Sequence, residues 1–324
     1  MKLHLTSALG KLVRDEKYRP LIFLIASLVA GESISSSFLT TENMRSLAIS
    51  SAPLVVMTIG EILVMMTGMI DLGVESVAAA SSMLVAYLML YTTLPILVII
   101  VIVLGLGLAV GLFDGFMVTK FRMPSFLVTL GIYWGMKGLA LIIGNGATLS
   151  PGSVFPAKPF GIVSLNGSIG SVPVLFVVGV VLTIFFQIVI SKTIMGRHIL
   201  AVGGNELGAK ELGVNNVRIK YIVFIASGML SSFAGIMLTA WLNSAYPLVA
   251  SGWSLESIAG AILGGVAFSG GVGSIVGGFV GAFIVNMLTD IIVLAHISAL
   301  YSYVVVAVIL ILAGLQLKRG EIAK

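Results

Sequence analysis

The residues that invite chemistry in this sequence are carboxylates set among apolar neighbours. Asp71 and Glu75 stand four apart in Met69-Ile-Asp-Leu-Gly-Val-Glu-Ser76, and Glu61 lies inside the apolar run before them. A carboxylate at the middle of a bilayer costs about 2.5–3.5 kcal/mol on insertion scales. Such groups persist where they face water, a partner or a solute. Two readings of Asp71 and Glu75 stay open. They belong to a break that shapes a pathway or moves with a partner, or they sit in a solvated turn with Asp71 capping the helix that follows. Lys137, Asp290 and His296 are more isolated. Lys137 falls in the outer half of an apolar segment and is expected to snorkel outward; a pairing with Glu61 is the alternative.

Other chemistry lacks its residues. No Gly-x4-Gly-Lys-Ser/Thr loop is present, so this chain has no phosphate cradle for ATP. His4, His198 and His296 are too far apart in sequence to suggest a metal site. With no cysteine there is no disulfide and no thiolate ligand. No nucleophile motif of the hydrolase type occurs. The chain is therefore expected to be no enzyme, with no cofactor of its own and no nucleic-acid partner.

The elements that must position these residues are membrane helices. Of 324 residues, 58% are hydrophobic and 10% charged, whereas a soluble domain is about 25% charged. Runs of about 20 apolar residues suit a bilayer crossing. They fall at roughly 20–38, 46–67, 73–92, 94–119, 125–143, 172–191, 219–241, 255–269, 274–294 and 298–316. The fold class is thus all-α, a polytopic bundle of about ten spans over residues 1–324 as one permease-like domain. The second and third runs could form one broken element. With the N-terminus inside, alternation puts fifteen of the 18 basic residues on the cytoplasmic side. Arg45 and Lys158 fall outside, and Lys137 falls within a span. The positive-inside rule thus places both termini in the cytoplasm, with residues 1–19 a retained cytoplasmic segment and not a signal peptide.

Two connections are long. Residues 144–171 read as an irregular external loop rich in Gly, Pro and Ser. Residues 192–218 read as a cytoplasmic loop with a short helix: Asn205 is a good N-cap, Glu206 begins the helix and Gly213 follows its end. About seven residues span roughly 10 Å, too short to be stable alone in water. Flanking spans or a partner must hold it.

Two internal patterns recur. Gly60-Glu-Ile-Leu and Gly260-Ala-Ile-Leu each lead into a polar or glycine-rich break, as paired broken helices of transporters do, although so short a match also arises by chance. Gly107, Gly111 and Gly115 stand four apart, as do Gly273, Gly277 and Gly281. This spacing lets helices approach closely, within one chain or between two copies.

Four stretches together resemble the permease subunits of ABC importers for monosaccharides, the ribose, xylose, arabinose and autoinducer-2 group. They are Phe38-Leu-Thr-Thr-Glu-Asn43 with Thr67-Gly-Met-Ile-Asp-Leu-Gly-Val-Glu-Ser76; Gly111-Leu-Phe-Asp-Gly115 with Pro124-Ser-Phe-Leu-Val-Thr-Leu-Gly131; Gly196-Arg-His-Ile-Leu-Ala-Val-Gly-Gly-Asn-Glu206 with Ala209 and Gly213; and Ala261-Ile-Leu-Gly-Gly-Val-Ala-Phe-Ser-Gly-Gly-Val-Gly-Ser274. They span about residues 20–316. The resemblance implies a type II importer permease in the cell (plasma or inner) membrane, paired with a second permease, identical or not. ABC ATPase subunits would use ATP and Mg, and an extracytoplasmic binding protein would deliver a sugar. Coupling to the ATPase would run through Gly196, Arg197, Gly204, Asn205, Glu206, Ala209 and Gly213. Glu61, Asp71, Glu75, Phe126 and Asn145 are the candidates for the translocation pathway. The sequence departs from the family at Glu75, where glycine is usual, and at Asp114, where asparagine is common. Two other classes remain: an ion-coupled secondary transporter, which would favour titratable groups deep in the core where only Glu61 and Lys137 come close, and a channel or membrane scaffold; the structured cytoplasmic loop favours the importer.

Overall fold

The structure, a computed structural model, describes residues 19–151 and 167–311. The N-terminal segment, most of the long loop after residue 151 and the end of the last expected span lie outside the described residues. Within them run α1 (Arg19–Ile34), α2 (Thr41–Met65), α3 (Val74–Tyr91), α4 (Ile96–Lys120) and α5 (Ser125–Gly144). A small hairpin follows, β1 (Ser168–Ile169) and β2 (Val172–Pro173). Then come α6 (Val174–Lys192), α7 (Ile194–Gly204), α8 (Glu206–Glu211), α9 (Asn216–Leu242), α10 (Trp253–Leu263) and α11 (Ile275–Leu294). The final apolar helix is α12 (Ala299–Ile311).

Seven of these helices are long and apolar enough to cross a membrane: α2 to α6, α9 and α11. Three shorter apolar helices, α1, α10 and α12, occupy the places of the first, eighth and tenth expected spans. The shortening of α10 has a local cause. It ends at Leu263 where Gly264 and Gly265 follow, and Gly265 takes φ +86°, a conformation that releases the chain from the helix. The second and third expected spans are two helices, parted at Met66–Gly73.

Burial sorts the helices into an inner and an outer set. The apolar windows of α2, α3 and α9 are 83%, 72% and 72% buried, whereas those of α4, α5 and α6 are 28%, 22% and 28% buried. The residue types explain the order. On α3, Ala78, Ser81 and Ser82 are small enough for α9 to lie close. The Ser81 and Ser232 hydroxyls bond at 2.9 Å, and Ser82 with Thr239 at 2.8 Å. In lipid such polar groups need partners within the protein. A Cβ on Gly107 would strike the Gly228 carbonyl, and one on Gly111 the Phe224 carbonyl, so α4 lies on α9 backbone to backbone. Gly277 and Gly281 serve the same end between α11 and α10, against Gly264 and Gly260. Both glycine stripes read from the sequence are thus filled within the chain. In the long connection between α5 and α6, the Leu149 backbone exchanges bonds of 2.8 and 2.7 Å with that of Ala245, and β1–β2 adds a short ordered turn.

Candidate functional site

Two broken helices end in the same way. At the end of α2, Gly68 takes φ +77°, its N–H donates to Met65 O at 2.9 Å, and Met69 N–H reaches Val64 O at 3.4 Å. At the end of α10, Gly265 N–H donates to Ile262 O at 2.9 Å and Val266 N–H to Ala261 O at 3.0 Å. Each is the paired-bond stop that a left-handed glycine permits. The two chains released by these stops then meet, with Gly271 N–H donating to Met66 O at 2.9 Å. The two breaks suggested by the Gly60 and Gly260 stretches are therefore in direct contact.

A third strand of backbone closes this junction. Gly203, in the last turn of α7, lies against both breaks: a Cβ there would collide with Met66 O and come within 2.5 Å of Gly271 N. A Cβ on Gly270 would lie 2.5 Å from Gly68 N, and one on Gly271 2.7 Å from Gly204 Cα. Residues 66–68, 203–204 and 270–271 thus touch with no side chain between them. Side chains can rotate to absorb a displacement; backbone in contact with backbone cannot.

Beyond the junction, Asn205 Oδ1 accepts from Gly208 N–H at 2.9 Å and caps α8, as its position suggests. Gly213, at φ +84°, donates to Lys210 O at 3.0 Å just past its end. The helix is six residues, one fewer than expected, and α9 holds it. Asn216 Nδ2 donates to Glu206 O at 2.7 Å, Lys220 Nζ meets Glu206 Oε1 at 2.6 Å, and Ala209 is buried. Leu207 and Leu212 are left 75% and 86% exposed. Sequence reasoning missed α7, which is capped by Thr193 accepting from Gly196 N–H at 3.3 Å. Gly196 has no room for a Cβ because Ile190 backbone lies against it, and Arg197 and Gly204 are exposed. The sequence carries Gly-Gly steps at 203–204 and 270–271, but also at 264–265 and 277–278, so it does not single out the two that meet here.

The carboxylates brace the first break from inside. Glu61 and Asp71 are buried. Asp71 N–H donates to Glu61 Oε1 at 3.3 Å; Asp71 Oδ1 accepts from Gly73 N–H at 2.9 Å and Oδ2 from the Ser227 hydroxyl at 2.7 Å. Asp71 does not cap α3, whose N-cap is Gly73 without a side-chain bond. Its bond to Gly73, two residues on, is a local turn. Ser125 and Thr129 on α5 take the next donors, from Ile70 N–H at 3.2 Å and Leu72 N–H at 3.1 Å. Glu61 Oε2 and Asp114 Oδ1 have no partner among the described residues. Glu75, the departure from the family pattern, has a structural role. Its Oε2 accepts from Gly252 N–H and Ser254 N–H, both at 3.0 Å, and so caps α10, where a negative charge complements the helix dipole. The Ser254 hydroxyl returns to Leu72 O at 2.9 Å. The start of α10 is therefore fastened to α3 and the first break, and the segment that follows α10 meets that break through Gly271.

The remaining candidates stand apart from this site. Phe126, 49% exposed, and Asn145, exposed at φ +48°, sit at opposite ends of α5. Glu61 and Lys137 do not pair. Lys137 does not snorkel toward the end of α5 either: its Nζ points back one turn and donates to the Tyr133 hydroxyl at 3.1 Å. Asp290 Oδ2 accepts from Asn43 Nδ2 at 2.8 Å, an ordinary interhelical bond.

A bundle of membrane-length helices, with two broken members joined to a structured connecting loop, defines a membrane transport protein. The chain belongs to the family described as branched-chain amino acid transport system / permease component, which matches residues 43–314. It is similar to the ribose import permease protein RbsC of Escherichia coli (strain K12), 32% identical over 297 residues that cover 92% of each chain. It is likewise similar to the L-arabinose ABC transporter permease protein AraH of Azospirillum brasilense, 32% identical over 288 residues, 88% of this chain and 83% of that one. The D-allose transport system permease protein AlsC of Escherichia coli (strain K12) is 31% identical over 293 residues, 90% of this chain and 88% of the other. No solved structure matches the chain.

Proposed function

We propose that this chain is the membrane-spanning subunit of an ATP-driven sugar importer, and that the contact of Gly203 with both breaks is its coupling element. The chain crosses the bilayer about ten times with both termini in the cytoplasm, a reading supported by the basic residues. The whole chain acts as one permease domain in the cell membrane. On that orientation α8 faces the cytoplasm, and ABC ATPase subunits, which bind ATP and Mg, engage it. A second permease completes the pathway, and an extracytoplasmic binding protein supplies the sugar. Relatives named for ribose, L-arabinose and D-allose support a monosaccharide as cargo.

The test is reconstitution in proteoliposomes with the ATPase and binding protein. Uptake of a radiolabelled sugar is expected to require ATP. Gly203→Val is expected to abolish uptake while ATP hydrolysis continues, because the push no longer reaches the breaks. Uptake driven by a proton or sodium gradient without ATP would instead support an ion-coupled carrier, the reading that the unpartnered oxygens of Glu61 and Asp114 favour.

A further inference from the structure

We infer that the exposed face of α5 around Tyr133, Trp134 and Lys137 forms a sugar-contacting wall of the translocation pathway; this rests on the importer reading above. Tyr133 is the ninth of 20 residues in α5 and Lys137 the thirteenth. The ammonium, turned back toward Tyr133, therefore sits near the middle of the helix. There it lies 5.1 Å from the Tyr133 ring centroid and 5.5 Å from that of Trp134. The two rings meet nearly at right angles, 88°, and Trp134 is 64% exposed. An ammonium has three donors. Tyr133 takes one, and the other two have no acceptor among the described residues.

Lipid is a poor neighbour for this corner. Acyl chains offer no acceptor, and an ionised side chain at mid-bilayer depth belongs on a water-filled cavity or a ligand path. The face is also cleared of bulk: a Cβ on Gly131, Gly135 or Gly138 would meet nothing within 4 Å. A monosaccharide matches what is offered. Its hydroxyls accept from the free ammonium donors, and its C–H face rests on an exposed indole. A few polar groups among aromatic surfaces are the usual makeup of a small-molecule site.

The test uses the full complex, with permease, ATPase and binding protein, in proteoliposomes given D-ribose, L-arabinose or D-allose. Lys137→Met is expected to lower uptake about tenfold or more, from the loss of charged hydrogen bonds. The complex should keep its mass, and ATP hydrolysis should persist. Lys137→Arg, which keeps the donors, should retain most of the uptake. Trp134→Leu should lower uptake too, and Ile142→Ala, on the same helix away from the corner, should not. Unchanged uptake in Lys137→Met would overturn the inference. So would an equal loss in Ile142→Ala, or separation of the permeases in Lys137→Met or Trp134→Leu, which would make the face an assembly surface. If the wild-type complex carried none of the three sugars with ATP, the importer reading itself would fail, and this wall with it.

Discussion

Helices α4 and α5 carry similar glycine spacings in similarly apolar sequences, and the fold treats them oppositely. On α4, Gly107, Gly111 and Gly115 meet Gly228, Phe224 and Tyr221 of α9 with no room for a side chain. On α5, Gly131, Gly135 and Gly138 meet nothing within 4 Å. The first stripe holds the bundle together. The second leaves a clear surface beside an ammonium and two aromatic rings. Small-residue spacing by itself therefore carries no assignment, and the partner facing it decides.

The widest separation between the two stripes should come from bulk. Gly111→Leu is expected to destabilise the protein by at least about 1–3 kcal/mol, because overpacking here would displace backbone. Gly135→Leu should change stability by no more than about 0.5 kcal/mol. Melting temperatures of the two purified variants in detergent read the difference, and equal losses would sink the contrast. A smaller change tests the junction, which resembles α4 in its contacts. Gly203→Ala forces a methyl against Met66 O and Gly271 N, so the melting temperature should fall, and well below the transition the ratio of sugar transported to ATP hydrolysed should fall as well.

The next effect is smaller and local. Gly213→Ala places a Cβ at φ +84°, a strain of about 1–2 kcal/mol confined to the end of α8. ATPase association with the purified permease should weaken about tenfold; unaltered association would mean α8 is not the docking element. Glu75→Gln keeps an acceptor for the start of α10 but removes the charge, so a loss of about 0.3–1 kcal/mol is expected. Thermal melting should show it, and uptake at a temperature well below the transition should not.

Much of the architecture was legible in advance. Seven of the ten apolar runs are membrane-length helices and the other three are shorter ones, all in the expected order. Asn205 and Gly213 marked the ends of α8 because capping chemistry is local. The Gly60 and Gly260 stretches did lead into two breaks, and those breaks meet. Their contact with Gly203 was not legible, since nothing in a sequence says which glycines share a surface. Lys137 is the sharpest case. Its position suggested an outward reach, and its neighbour one turn back, Tyr133, holds it back along α5 instead.

The sequence by itself determined that the chain is a bundle of apolar helices and where several of them stop. These follow from hydropathy and backbone preference, both of which act over a few residues. Only the tertiary structure decided that Glu75 is a helix cap, that Asp71 braces a break and that one glycine stripe is covered while another stays open. Those outcomes depend on which backbone lies opposite each residue, and that is set by packing across hundreds of positions.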